Sequence, residues 1–313
     1  MAPARQLRRD RGFLFPFRSF AMNVEVTGIA SKVREFFPTV AKAPLFGPDG
    51  MKTNYYGLFR MDTGVSVGAG SVSGRYTPHT SEDIVALCTA AENVFGEIGK
   101  VDLGFRDGHY VSVTPTKQER LNVFDKGDDS VWPRLIIRAP YGGCFQADMG
   151  VFRDACRNLH IMRRVAGTSV RFRHTSSLRD KMDDLIADLG ALQGGWAALT
   201  ARMQQLEAAR VNTAAFLDQL YPLAQDANDA VITRHRHRTE AIIRRIARER
   251  VAIGREAGDL QTATAWELWN GIGGYLQHDK TRRGNPAGFD RAVLTFDDPV
   301  MEQAESLLMA MAV

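Results

Sequence analysis

Trp132-Pro133-Arg134-Leu135-Ile136-Ile137-Arg138-Ala139, Pro140-Tyr141-Gly142-Gly143 and Cys144-Phe145-Gln146-Ala147-Asp148-Met149 follow one another without a break. The first block alternates apolar and basic residues, the pattern of a half-buried strand, and the Pro-Tyr-Gly-Gly run turns it into a second strand. Working outward, the same strand-turn-strand grammar repeats upstream. Asn54 to Met61, the turn Asp62-Thr63-Gly64 and Val65 to Gly68 predict one hairpin. Val101 to Phe105, the turn Arg106-Asp107-Gly108 and His109 to Val113 predict another. Between them Thr80 offers a hydroxyl N-cap with Asp83 three residues on, a helix start. Ile84, Val85, Leu87, Cys88, Ala91, Val94 and Phe95 then keep helical spacing until Gly96 and Gly99.

Downstream of Thr175 the grammar changes. Helical spacing runs from Leu178 to about Tyr221, with Gly194-Gly195 expected to break it, and returns over Arg234–Arg255, Thr262–His278 and from Pro299 onward. The expectation is an α+β fold: a hairpin-rich mixed N-terminal half with one long helix, then a predominantly helical C-terminal half. The corresponding division is a flexible basic extension over 1–21, an α+β domain over 22–175 and a helical region over 176–313.

Composition narrows the function classes. The chain has 313 residues, 44% hydrophobic and 24% charged, near the averages of soluble globular proteins. No apolar run approaches the roughly 20 residues of a membrane-spanning helix. Cys88, Cys144 and Cys156 form no Cys-x-x-Cys pair, which argues against a disulfide framework or a cysteine zinc site. Buried, inert thiols in a reducing cytoplasm are expected. Met1 to Phe20 is arginine-rich, and its apolar patch from Phe13 to Phe17 is interrupted by Pro16. It reads as a floppy extension or as sequence ahead of a start at Met22.

Charge is the more telling feature. The net charge is +4, and Arg5, Arg8, Arg9, Arg11 and Arg18 less Asp10 already account for it, so the rest of the chain balances to zero. Within that neutral body, Arg153, Arg157, Arg163, Arg164, Arg171, Arg173, Arg179 and Lys181 face only Asp154 and Asp180, with His160 and His174 interleaved. A dense basic stretch on a neutral body suggests a localised surface for phosphates. Strand spacing would put Arg171 and Arg173 on one face, with Phe172 and His174 available to stack on bases. The blander reading is a solvated edge whose arginines pair with Asp183, Asp184 and Asp188. A second basic run, Arg234 to Arg255, lies on a helix whose buried stripe is Ile242, Ile243, Ile246 and Val251.

Other constellations carry less. His235 and His237 are two apart among three arginines, which disfavours a cation. Gly68-Ala69-Gly70-Ser71 with Gly74 lacks the Lys-Ser/Thr ending of a phosphate loop and reads as a turn. His278-Asp279 and Asp297-Asp298 would make a metal or acid–base site only if the fold joined them; such pairs are usually helix ends. No nucleophile carries a local catalytic signature, so no catalytic residue, metal or cofactor is assigned.

Four segments together resemble the phage/plasmid-like family known as domain of unknown function 932. Val72-Ser73-Gly74-Arg75-Tyr76 before the Ser81 helix resembles its arginine-tyrosine turn. Val151 to Leu159 resembles its cysteine-x-asparagine-threonine-leucine segment, without the threonine. Phe172-Arg173-His174-Thr175 resembles its arginine-histidine-threonine element, and Thr264 to Thr281, with Trp266, Trp269, Tyr275 and His278-Asp279, resembles its closing helix. The match spans roughly Gly70 to Thr281 and implies a mobile-element origin without implying catalytic residues. The order of hairpins then helices also loosely resembles RecT/Redβ-type single-strand annealing proteins.

Two functions follow as expectations. One is single-stranded DNA binding in recombination or replication: Arg75, Arg153, Arg157, Arg163, Arg164, Arg171, Arg173 and His174 on phosphates, Tyr76 and Phe172 on bases. The other is a structural or interaction component without DNA binding, a homo-oligomer contacting partners through Trp196, Trp266, Trp269, Ile242 and Ile246.

Overall fold

Residues 28–68, 70–105, 109–115, 121–122, 129–153, 155–162, 165, 167–173, 178–282 and 289–311 are described by the structure, a computed structural model. The basic extension, the Arg106-Asp107-Gly108 turn, Arg163, Arg164 and His174 lie outside the described residues. The first half comprises α1 (Ile29–Phe36), β1 (Val40–Phe46), β2 (Lys52–Arg60), β3 (Val72–Ser73), α2 (Ser81–Phe95), β4 (Ile98–Phe105), β5 (His109–Pro115), β6 (Leu121–Asn122), β7 (Ser130–Ala139), β8 (Cys144–Arg153), β9 (Asn158–Ile161) and β10 (Ser169–Arg173). The second half comprises α3 (Leu178–Ala208), β11 (Arg210–Asn212), α4 (Thr213–Leu220), α5 (Asp229–Ala252), β12 (Thr262–Thr264), α6 (Ala265–Gly274) continuing as a π-helical turn (Tyr275–Asp279), α7 (Phe289–Phe296) and α8 (Pro299–Met311). The fold is α+β, strand-rich first and helical after.

Strands β7 and β8 are the centre of an antiparallel sheet ordered β10-β8-β7-β5-β4, with β6 beside β7 and β9 beside β8. The Pro-Tyr-Gly-Gly turn joins them as expected, but β7 is not half-buried: nine of its ten residues are buried. One face meets the main core through Leu135 and Ile137, while α7 lays Val293 and Phe296 against Ile136 on the other. Its basic residues go inside because carboxylates wait for them. Arg134 pairs with Asp102 at 2.9 Å, and Arg138 with Asp148 at 2.8 Å and Asp297 at 3.0 Å.

The first expected hairpin forms only briefly: Arg60 N–H donates to the Val65 carbonyl and Val67 N–H to the Leu58 carbonyl, each at 2.9 Å. Strand β2 pairs along its length with β1, an upstream strand that the sequence reading did not identify, and meets Ser66 only at an isolated bridge. These strands and β3 form a separate three-stranded sheet whose inner face packs Leu58 and Val72 with Tyr76 and Tyr141. The helix from Ser81 starts as expected: Thr80 and Asp83 form a reciprocal capping box, and Gly96 ends it at φ 89°.

Gly194-Gly195 does not break α3. A Cβ on Gly195 would fall 2.6 Å from the Gly167 carbonyl oxygen, so that glycine lets the helix approach the loop before β10. One hydrophobic core runs from Ile84 and Leu87 through Val111, Leu135, Phe145 and Met149 to Leu199, Ile242, Trp266, Leu268 and Leu308. It passes through both halves of the chain.

Candidate functional site

Strand β8 ends in Arg153, and the chain turns through Ala155, Cys156 and Arg157 into β9, where Asn158 pairs with Arg153. This turn is pressed against α5 and α6. Arg153 is only 1% exposed. Its guanidinium donates to both oxygens of Asp129, at 2.6 and 2.9 Å, and to Glu249 of α5 at 2.5 Å. Trp266 Nε1 also donates to Asp129, at 3.1 Å. Burial works against the charge on Arg153, but its ion pairs with Asp129 and Glu249 outweigh that cost and raise the pKa. Glu249 shifts upward too: its desolvation exceeds what Arg153 and Arg245 return.

The network continues along β9. Asn158 Nδ2 donates to the Asn270 carbonyl at 3.2 Å and to Glu249 at 3.4 Å, and Asn158 Oδ1 lies 2.9 Å from His278 Nε2. Gln277 brackets Leu159, accepting from its N–H at 3.2 Å and donating to its carbonyl at 2.7 Å. His160 packs on Trp269 with ring centroids 4.4 Å apart, and a side chain on Gly273 would collide with its imidazole. Thus the cysteine-x-asparagine segment and the tryptophan-to-histidine helix, distant in sequence, build one seam.

Its chemistry is quiet at neutral pH. Burial lifts the Cys156 thiol to about 12, helped by Glu249, so it is protonated and a poor nucleophile. Burial and then Arg153 lower His160 to about 3; burial and then Arg245 lower His278 to about 4. Both imidazoles are neutral near pH 7. His278-Asp279 and Asp297-Asp298 do not join: His278 goes to Asn158, Asp279 to Arg245, Asp297 to Arg138 and Asp298 to Lys280. Among the described residues no His, Cys, Asp and Glu gather in a metal-binding group.

The basic stretch is divided by the fold. Arg153 is sealed in ion pairs and is not presented to an outside anion. Tyr76 is also interior, its hydroxyl accepting from Gly142 N–H at 3.0 Å, which removes it as a stacking surface. Arg157 is exposed at one end of β8. Arg171, exposed too, pairs with Gln146 near the other end, as Arg173 and Phe172 do by backbone with Cys144 and Phe145. Gln146 and Arg153 are seven residues apart, about 24 Å along a strand. Arg75 stands exposed after β3. Arg157 is the sole non-glycine among the described residues with positive φ, at 55°, a conformation that costs an L-residue energy. The assembly surface expected from Trp266, Trp269, Ile242 and Ile246 is core instead.

Helix α5 adds exposed charge. Facing inward, Arg245 pairs with Asp279 at 2.7 Å, Arg250 with Glu267 at 2.8 Å, and Arg238 covers the Tyr221 ring at 4.6 Å. Arg234, Arg236, His237 and Arg248 are exposed; at about 100° per residue Arg234 and Arg248 lie on one flank of the helix and Arg236 on the other. Among the described residues no carboxylate pairs with them; Arg244 has one, Glu240 at 3.6 Å. Asp129, Glu249, Asn270 and Gln277 were missed from sequence. One signal existed: Glu249 continues the buried spacing of Ile242 and Ile246, and an acid on an apolar stripe implies a buried cation.

An α+β protein whose β8–β9 turn is locked by a buried polar seam to its closing helices is the class that this geometry defines. Residues 69–295 match the family described as "Domain of unknown function (DUF932)", and the chain belongs to that family. No curated protein and no solved structure matches it. Among the described residues no helix is long and apolar enough to cross a membrane.

Proposed function

We propose that this chain is a phage- or plasmid-type nucleic-acid-binding protein that acts on single strands in recombination or replication. One observation carries the reading: α5 pairs its inward guanidiniums and leaves Arg234, Arg236 and Arg248 exposed, without carboxylate partners among the described residues. Fourteen residues separate Arg234 from Arg248, about 21 Å of helix, enough to meet several phosphates of one strand. Arg157 adds a further cation beside the C-terminal part of that helix, since its turn is held to Glu249. Arg153 and Tyr76, being interior, are not part of the proposed surface.

Oligonucleotide affinity measured against salt tests this. Each single-strand phosphate contact contributes about 0.7 to the slope of log affinity on log salt. Replacing Arg234, Arg236 and Arg248 together by glutamine is expected to lower that slope by about 2 and to weaken binding at every sequence tried. An unchanged slope, or no binding by the parent chain at low salt, rejects the reading.

A further inference from the structure

We infer that His160 makes the seam between β9 and the closing helix a proton-operated latch, closed while the imidazole is neutral and released when it is protonated. The residue is 3% exposed, and its ring lies against Trp269 with centroids 4.4 Å apart. The fit is tight, since a Cβ on Gly273 would run into His160 Cε1.

Hydrogen-bond polarity decides the protonation state. Gln277 is fixed end for end by the Leu159 backbone: its Oε1 accepts from Leu159 N–H at 3.2 Å, and its Nε2 donates to the Leu159 carbonyl at 2.7 Å. The Thr295 hydroxyl gives its own hydrogen to the Ala292 carbonyl and accepts from the same Nε2 at 3.2 Å. The group facing His160 Nδ1, at 3.5 Å, is therefore an amide NH2 with no lone pair to offer. His160 Nε2 is buried and has no partner among the described residues. A neutral ring with its lone pair on Nδ1 suits this place. An imidazolium donates at both nitrogens and finds an acceptor at neither.

The surroundings act in the same direction. Burial is the larger cause, and Arg153 of β8 and His278 of the π-helical turn both add to it by opposing a positive charge on His160. Glu249 of α5 is committed to Arg153 and Asn158. Helix α6 presents Trp269 and Gly273, and α7 reaches Gln277 through Thr295, none of which carries charge. The folded imidazole titrates at about 3, and a free one at about 6.5. Protons accordingly bind the open form first, and the closed form loses ground as pH falls below about 6.5. Release frees Gln277 from Leu159 and lets Tyr275–Asp279 come away from β9 while the sheet stays folded, a local opening rather than a global one.

Native-state amide hydrogen exchange of the full chain, read as protection factors at pH 7 and pH 5.5, tests the latch. The reporters are Leu159 N–H, held by Gln277, and Lys280 N–H, held by the Tyr275 carbonyl, with the amides of β7 as reference. Protection at both reporters is expected to lie below that of β7 and to fall by at least about eightfold at the lower pH. His160→Asn keeps an acceptor near the place of Nδ1 and does not titrate, so it should take about eightfold out of that fall. Unchanged protection in the parent overturns the latch, as do reporters protected as strongly as β7. A variant that answers pH as the parent does also overturns it. Should His160→Asn not fold, spectra of the parent labelled with nitrogen-15 histidine decide. His160 is expected to keep its hydrogen on Nε2 from pH 7 to pH 5.5, and a proton on Nδ1 at pH 7 overturns the proposal.

Discussion

A guanidinium gives up its hydration when buried, and Arg153 recovers that loss from two carboxylates on separate stretches of chain, Asp129 and Glu249. Removing the cation strands both acids in the interior. Arg153→Leu is therefore expected to cost about 3–5 kcal/mol at pH 7, read as a lowered midpoint in urea or guanidinium denaturation. The deficit should narrow as pH falls from 7 toward 5. Burial already raises Glu249 and Arg153 is what opposes it, so without the arginine Glu249 gains its proton in the folded state at a still higher pH than in the unfolded one, and the variant's stability falls as pH rises. A phosphate-binding role alone predicts no such penalty, and a variant as stable as the parent would contradict the assignment of Arg153 to the interior. The arginine was visible in the sequence; its burial was not, because its partners lie 24 and 96 residues away.

At the scale of elements, local signals were read correctly where they are local. The Thr80–Asp83 capping box and the turn between β7 and β8 depend on residues a few positions apart, and both formed. The pairing of β2 with β1 and the burial of β7 on both faces depend on what covers a strand from elsewhere, which a periodicity cannot report. Glycine in α3 shows the same limit. Alone, Gly194-Gly195 argues for a helix end, because glycine costs about 1 kcal/mol in a helix interior. The fold uses the two positions differently. Nothing lies within 4 Å of a Cβ built on Gly194, whereas one on Gly195 meets the Gly167 carbonyl at 2.6 Å. Gly194→Ala is accordingly expected to stabilise the chain by about 0.5–1 kcal/mol, and Gly195→Ala to destabilise it by about 1–3 kcal/mol. Thermal unfolding of the two variants checks this; equal shifts of the same sign would mean that α3 does not rest on that loop.

For the whole molecule, the composition change at Thr175 separates kinds of secondary structure more sharply than it separates cores. Leu135, Phe145 and Met149 of the sheet belong to the same hydrophobic cluster as Leu199, Ile242 and Trp266 of the helices. The Arg153–Glu249 pair and the two Gln277 bonds to Leu159 cross between the halves as well. A fragment ending at Thr175 would expose the inner face of β7 and β8 and leave Arg153 with one of its two acids. Such a fragment is expected to be aggregated or expanded, and the full chain to unfold in one transition. The tryptophans suit the test: Trp132 lies in the sheet, and Trp196, Trp266 and Trp269 lie in the helices. Tryptophan fluorescence and far-ultraviolet circular dichroism should trace coincident denaturation curves, and Trp132→Phe should leave the fluorescence midpoint in step with the dichroism. Two separated transitions, or a 22–175 fragment with sharp dispersed amide resonances, would show that the sheet holds together without its helical cover, and the shared core would then not govern folding.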